Sequence, residues 1–438
     1  MTDARVKLWG RDIGAVSWTA DREVAVFQYA PEFVGSHIEV APLTMPLATH
    51  PYEFPALARD TFKGLPGLLA DSLPDKFGNA LIDAWLAGQG REPHSFNPVE
   101  RLCYIGRRGM GAIEFEPAIL REPNRRKRVE VDALVTLANR VLDERVELAG
   151  KLTGNDDAAV IEDILRVGTS AGGARAKAIL AFNETTGEFR SGQLPADKGF
   201  SYWLMKFDGV SGNRDKEAVD PLGYGMIEYA YYLMAGAAGI EMSECRLHRE
   251  GGRAHFMTRR FDRTADGDKH HMQSLCAMQH YDFNRPDAYS YEQVLMTIRQ
   301  LDLSMSTVEE QFRRVAFNVI ARDHDDHVKN IAFLMDKKGE WRLSPAFDVA
   351  YAYNPQGLWT SRHQLSINGK RDDFVLDDLT ELGESGGIKR ARAIRIIEEV
   401  DAAVDRWPEF GSEAGVAGAT VEKIGSAHRR LIQQITYS

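Results

Sequence analysis

The stretch Val308–Ala321 runs directly into Asp323-His-Asp-Asp-His-Val-Lys-Asn330. Phe312, Val315, Ala316 and Val319 recur at helical spacing, so the stretch reads as an amphipathic helix with one apolar face. Carboxylates at a helix C-terminus oppose its macrodipole, so this cluster is a poor device for merely ending a helix. A chain built this way must pack the helix against a core and deliver the polar segment to one defined place.

The spacing inside the cluster suggests a chemistry. Asp325 and Asn330 stand as D-x-x-x-x-N. In protein-kinase catalytic loops that spacing lets the Asp accept a hydroxyl proton while the Asn turns back to hold a metal. Downstream, Pro345-Ala-Phe-Asp348-Val sets an aspartate among apolar residues, where it can ligate Mg²⁺ as the D-F-G aspartate does; here the glycine is missing. Two other readings stay open. Asp323, His324, Asp325 and His327 are all competent metal ligands for a hydrolase, or the cluster is a polar helix end with a structural task only.

Upstream lies Gly168-Thr-Ser-Ala-Gly-Gly-Ala-Arg-Ala-Lys177. Its glycines suit a backbone that approaches phosphate oxygens. Gly168 and Gly173 have the separation of a Walker A loop, but Ala174 and Arg175 replace its Lys-Ser/Thr pair, and a strand rather than a helix follows. A plain glycine turn explains the segment equally well. Lys206 sits in the apolar run Tyr202–Asp208, where burial without a partner is costly. A phosphate, or the carboxylate of Glu228, would account for it, as would a strand-edge lysine with a solvated head. The run Phe256–Arg263 reads as a strand whose end can offer backbone groups to an adenine edge.

Around these motifs the pattern alternates. Val6–Trp9, Ile13–Trp18 and Val24–Tyr29 read as strands, and Ala80–Leu86 as a helix. Arg121–Arg128 is a charged linker or a basic contact. Helices at Val131–Leu142 and Ala158–Leu165 precede strands at Ala176–Phe182, Phe189–Gln193 and Tyr202–Asp208. The helix Met226–Ala238 interrupts before strands Cys245–His248 and His255–Phe261. From Tyr291 the chain is mostly helical, with short strands at Ile331–Leu334 and Trp341–Leu343 and helices at Ile388–Val404 and Val421–Ile435. The domains expected are 1–120, an α+β unit; 121–265, a β-rich nucleotide-binding lobe with linker helices; and 266–438, a helical catalytic lobe. A β-rich lobe followed by a helical one is one way to build a nucleotide cleft.

Composition narrows the classes. With 438 residues, 44% hydrophobic and 27% charged, the chain is an ordinary globular sequence with length for roughly two to three domains. A net charge of −10 argues against broad nonspecific nucleic-acid binding. Cys103, Cys245 and Cys276 are too scattered for a disulfide framework or a CxxC metal site, which fits a reducing, cytoplasmic setting. Met1–Gly10 carries Asp3, Arg5 and Lys7 and reads as no secretory signal. The apolar stretch Tyr229–Ile240 is too short to span a bilayer, so no membrane role is expected.

Taken together, the motifs resemble the HipA family of bacterial serine/threonine kinase toxins over nearly the whole chain. The resemblance rests on Leu65-Pro-Gly-Leu-Leu-Ala-Asp-Ser-Leu-Pro-Asp75, Ser170–Lys177, Arg260-Phe-Asp-Arg263, Asp325–Asn330 and Asp348, in that order. It implies an α+β, bilobal protein-kinase-like fold with an additional N-terminal α+β subdomain. It also implies transfer of the ATP γ-phosphoryl group to a protein Ser or Thr. Asp325 would be the base, Asn330 and Asp348 would hold Mg²⁺, and Lys206 would meet the ATP phosphates. Gly172, Gly173, Ala174, Lys177, Arg260, Phe261, His327 and Lys329 would complete the nucleotide site. Ser170, with Thr169 as its neighbouring alternative, would be an autophosphorylation site; the added negative charge would repel the ATP phosphates that the loop covers.

The implied partner is a helix-turn-helix antitoxin (HipB-like) that carries most contacts to operator DNA. The implied protein substrate is translation-related, in one branch glutamyl-tRNA synthetase. A non-catalytic corepressor of the same fold is the other reading. Arg175 and Asp326 depart from the family's best-known member, which has Gln and Gly there.

Overall fold

The computed structural model describes residues 2–74, 76–92, 95–119, 128–143, 175–193, 195–210, 214–215, 218–219 and 222–432. The expected helix Ala158–Leu165, most of the linker Arg121–Arg128, and Thr169, Ser170, Gly172, Gly173 and Ala174 lie outside the described residues. The fold is α+β, as expected. It divides into two compact units: Met1–Leu222 with His248–Gln273 and Leu334–Glu340, and Gly223–Leu247 with Ser274–Phe333 and Trp341–Ser438.

In the first unit, β1 (Thr2–Leu8), β2 (Arg11–Thr19), β3 (Val24–Tyr29) and β4 (Ile113–Glu116) form a sheet ordered β3-β2-β1-β4. Alternation drives β1: Ala4, Val6 and Leu8 are buried, whereas the residues between them are more open. The sequence reading did not single out β4, which pairs antiparallel with β1, Val6 opposite Phe115. Nor did it single out the helix Pro98–Ile105, which starts with a capping box between Asn97 and Glu100 and Pro at its first position.

The second sheet of this unit contains β5 (Lys177–Asn183), β6 (Glu188–Ser191) and β7 (Ser201–Lys206). After the two-residue strands β8 (Arg214–Asp215) and β9 (Ala218–Val219), it is completed by β10 (Cys245–Glu250) and β11 (Arg253–Arg259), in the order β10-β11-β7-β5-β6. One face of its centre is apolar: Ala178, Leu180, Trp203 and Met205 share a buried cluster with Phe77 and Leu81 of the helix Lys76–Gly88 and with Val131 and Val135 of the helix Val131–Asp143. The opposite face of the same strands carries Lys177 and Lys206.

The second unit is mainly helical. Its central helix, Met305–Ala321, buries Phe312, Val315, Ala316 and Val319, the face expected from their spacing. Ser304 caps its start by accepting from the Thr307 N–H. At its end, Arg322 takes a left-handed conformation (φ 59°) and donates its backbone N–H to Asn318 O. The Tyr231 hydroxyl, on the helix Tyr224–Ala237, donates to Ala321 O at 2.6 Å. The last described helix is Gly418–Ala427, shorter than the Val421–Ile435 expected. His428 turns extended so that its buried ring packs on Tyr231 and Trp407, and that turn ends the helix.

Candidate functional site

Register places the two sequence-singled lysines together. On β5 and β7, Lys177 stands directly opposite Lys206, and Lys206 stands opposite Phe256 on β11. Directly opposed residues project to one face, so the three side chains form a row across the centre of the sheet. Lys177 is buried, and the Lys206 ammonium lies 5.7 Å from the centre of the Phe256 ring. Like charges at opposed positions destabilise a sheet, and an anion between them reverses the sign of that interaction. This row is suited to the phosphates of a nucleotide. Glu228, the other partner considered for Lys206, is buried in the helix Tyr224–Ala237 of the second unit.

Beyond β11 the chain enters a buried ion cluster. Arg260 Nε and Nη2 donate to the two Asp262 oxygens at 2.8 and 2.7 Å, and Arg263 Nη1 donates to Asp262 Oδ2 at 2.8 Å. Gly111 completes it, giving its backbone N–H to the same oxygen at 2.7 Å. Gly111 has φ 71°, and a Cβ there would meet Met272 N at 3.0 Å, so glycine is required. Burial opposes ionisation of Asp262, but Arg260 and Arg263 outweigh it and hold the carboxyl well below the usual range. The Arg260 guanidinium is therefore committed within the protein, and its backbone N–H donates to Tyr202 O. Phe261, half-buried, follows it.

Sequence reasoning missed Gln273 on β12 (His271–Ser274). Its side chain is fully buried and neither its amide oxygen nor its amide nitrogen has a partner. Such a group is expensive to leave unsatisfied and marks a place for a missing donor and acceptor. A lone glutamine in a strand gives no sequence signal.

In the second unit, the segment 323–330 leaves the central helix as a laced loop. Asn330 donates its backbone N–H to His327 O and its amide Nδ2 to Asp325 O, both at 2.9 Å. The loop exit is tied to the helix Leu275–Gln279, with Cys276 N donating to Val328 O and Leu275 N to Ile331 O. Asp325 Oδ1 accepts from the Trp359 indole at 2.9 Å and lies 3.7 Å from His327 Nε2. Lys329 sits with its ammonium 5.1 Å from the centre of the Phe283 ring. Asp348 holds a left-handed backbone (φ 58°), rare for a non-glycine residue and frequent at functional sites.

The remaining members of the cluster are structural anchors. Asp326 is buried and accepts from Tyr291 Oη at 2.6 Å, His363 Nδ1 at 2.7 Å and Gln364 N at 2.6 Å. Burial opposes its charge, but His363 and these hydrogen bonds prevail and its carboxyl is held below the usual range. Asp323 accepts from Ala350 N. Burial, then Asp326 and Asp325, push its carboxyl well above the usual range. His324 is buried, donates Nδ1–H to Thr360 O at 3.0 Å and packs on His363 with ring centres 4.0 Å apart. Burial and His363 keep it neutral. Among the described residues, no three His, Cys, Asp or Glu side chains are grouped to hold a metal ion, so the geometry gives no support to the hydrolase reading. Nor is any described helix long and apolar enough to cross a membrane.

The residue types expected to hold a hard cation are oxygen donors: the Asn330 amide spends its nitrogen on Asp325 O and keeps its oxygen out of that bond, and Asp348 is a carboxylate. Mg²⁺ characteristically takes one or two protein oxygens and completes its octahedron with water and phosphate.

A model of the HipA N-terminal domain matches residues 4–116, and a model of the HipA-like C-terminal domain matches residues 169–407. HipA of Shewanella oneidensis MR-1, solved with HipB and its operator DNA, superposes with a TM-score of 0.68 at 16% identity over 97% of this chain and 95% of that one. The Helicobacter pylori proinflammatory kinase CtkA matches at a TM-score of only 0.34 and 12% identity, over 52% of this chain and 88% of that one. No curated protein matches the chain.

Proposed function

The chain belongs to the HipA family, and on that premise we propose that it is an ATP- and Mg²⁺-dependent serine/threonine protein kinase, the toxin of a toxin–antitoxin pair. The observation that carries the reading is the Asn330–Asp325 hydrogen bond, which ties the amide nitrogen to the backbone of the candidate base and keeps the amide oxygen out of that bond. Asp325 takes the proton of the acceptor hydroxyl. Asn330 Oδ1 and Asp348 would hold Mg²⁺, which would supply positive charge against the transferring phosphoryl group. Lys177 and Lys206 draw in the ATP phosphates. The adenine edge meets the backbone at Arg260–Phe261. His327 and Lys329 line the loop that carries Asp325. Catalysis on this scheme is positioning and electrostatics.

Ser170 is the proposed autophosphorylation site, within the loop that includes Gly172, Gly173 and Ala174. The partner is a helix-turn-helix antitoxin of the HipB kind. The net charge of −10 favours a division of labour in which the antitoxin supplies most contacts to operator DNA. The substrate is a translation-related protein, glutamyl-tRNA synthetase being the first to test, and the setting is the cytoplasm.

The test is intact mass with peptide mapping. The protein is stripped with phosphatase, freed of it, and given Mg²⁺ and ATP, wild type beside Asp325→Gln. A gain of one phosphate at Ser170 in the wild type alone is the expected result. No gain and no ATP binding would overturn the kinase reading in favour of a corepressor.

A further inference from the structure

We infer that Trp359 is a positioning residue for phosphoryl transfer, its indole N–H holding one oxygen of Asp325 so that the other faces the acceptor hydroxyl; the inference rests on the kinase reading above. A carboxylate on a loop can rotate about its last torsion, and a base that rotates is misaligned for much of the time. Here Oδ1 is taken by Trp359 Nε1 at 2.9 Å, with His327 Nε2 at 3.7 Å from the same oxygen. Oδ2 has no partner among the described residues, and the Asp325 side chain is 33% exposed. One oxygen is fixed and the other is open.

The choice of an indole has a chemical consequence. Indole is a donor only and carries no charge. Arg or Lys in its place would align the carboxylate but also stabilise its charged form and weaken it as a base. Trp359 aligns Asp325 without pairing it to a cation.

The donor is itself held. The Trp359 carbonyl accepts from Gln364 Nε2, and the same amide reaches His324 O at 3.3 Å. Gln364 N donates to Asp326 Oδ1 at 2.6 Å, while His324 Nδ1 donates to Thr360 O at 3.0 Å. Residues 324–326 and 359–364 are thus cross-laced through backbone and side chain, which fixes the backbone from which the indole projects. Leu358, immediately before it, is 99% exposed, so this turn stands on surface that an incoming protein can reach.

In the step itself, the acceptor oxygen forms a bond to the γ-phosphorus of ATP as the bond to the bridging oxygen breaks. The electron pair of that bond leaves with ADP, and the hydroxyl proton passes to Asp325 Oδ2. Trp359 touches none of the reacting atoms.

The experiment is a double-mutant cycle on the full chain, reading ADP formation with Mg²⁺ and ATP in wild type, Trp359→Phe, Asp325→Asn and the double variant. Trp359→Phe should lower kcat by about tenfold and leave KM for ATP within about twofold, because an aligned base matters only in the transition state. The double variant should be no slower than Asp325→Asn, since Trp359 acts through that carboxylate. Wild-type kcat in Trp359→Phe, or losses that multiply in the double variant, would overturn the inference. Wild-type kcat in Asp325→Asn would instead overturn the reading of Asp325 as base, and the inference with it. Should Trp359→Phe fail to fold, Trp359→His, which keeps a ring N–H, serves in its place: kcat closer to wild type than in Trp359→Leu supports the donor role, and equal loss in the two overturns it.

Discussion

Asn330 folds its amide nitrogen back onto the carbonyl oxygen of Asp325 at 2.9 Å, five residues upstream. One side chain thereby closes the loop and keeps its amide oxygen out of that bond. Asn330→Ala should therefore raise the Mg²⁺ concentration needed for half-maximal ADP formation by on the order of tenfold, with loss of a single hydrogen bond costing about 1 kcal/mol of stability. A Mg²⁺ titration beside a urea melt checks both.

Lys206→Met tests the row on the sheet. Removing one of two opposed ammonium groups should weaken ATP binding by about tenfold, the loss of one phosphate contact. Calorimetric titration with ATP measures it, and unchanged affinity would separate the lysine row from nucleotide binding.

Asp262→Asn tests the buried ion cluster. Arg260 and Arg263 would be left charged in the interior, a change that costs about 3–5 kcal/mol. Chemical denaturation reads the loss, and joint replacement of both arginines by Met in the same background should recover part of it.

His271 and His255 are among the buried histidines that make stability depend on pH. Burial pulls His271 down to about 4, and burial with His248 nearby pulls His255 down to about 4, both from an ordinary 6.5. The unfolded chain binds more protons than the folded one between those values. Stability is therefore full above about pH 6.5, falls as pH drops, and by pH 4 has lost roughly 3 kcal/mol for each group that stays buried. His271→Gln should flatten the slope of denaturation midpoint against pH over that window.

What the sequence made legible was local. The strands β1, β2 and β3 follow from alternation and the central helix from its apolar face, while the reading of Asp325, Asn330 and Asp348 as a site rests on short spacings. Lys177 and Lys206 were readable one at a time, but their opposition depends on register, which two separate strands do not announce. The partners of Asp326 are Tyr291, His363 and Gln364, about 35 residues away on either side, and no spacing rule joins them. That contact set makes Asp326 the pin on which the loop hangs. Trp359 and Gln273 were invisible for the same reason. Their meaning lies in what surrounds them. The C-terminal helix was overextended because apolar periodicity continues past Ala427, while the burial of His428 bends the chain first.

The Asp262 cluster also bears on the order in which this chain is made. Gly111 reaches the Asp262 carboxylate across 151 residues, and the Gly109 carbonyl accepts from Arg263 across 154. The sheet β3-β2-β1-β4 has all its strands once residue 116 has emerged from the ribosome, but the Gly109–Gly111 turn after its capped helix gains its bonds to Asp262 and Arg263 only when those residues arrive. The first unit is thus assembled in two acts during synthesis, with its early sheet waiting on a late arginine pair.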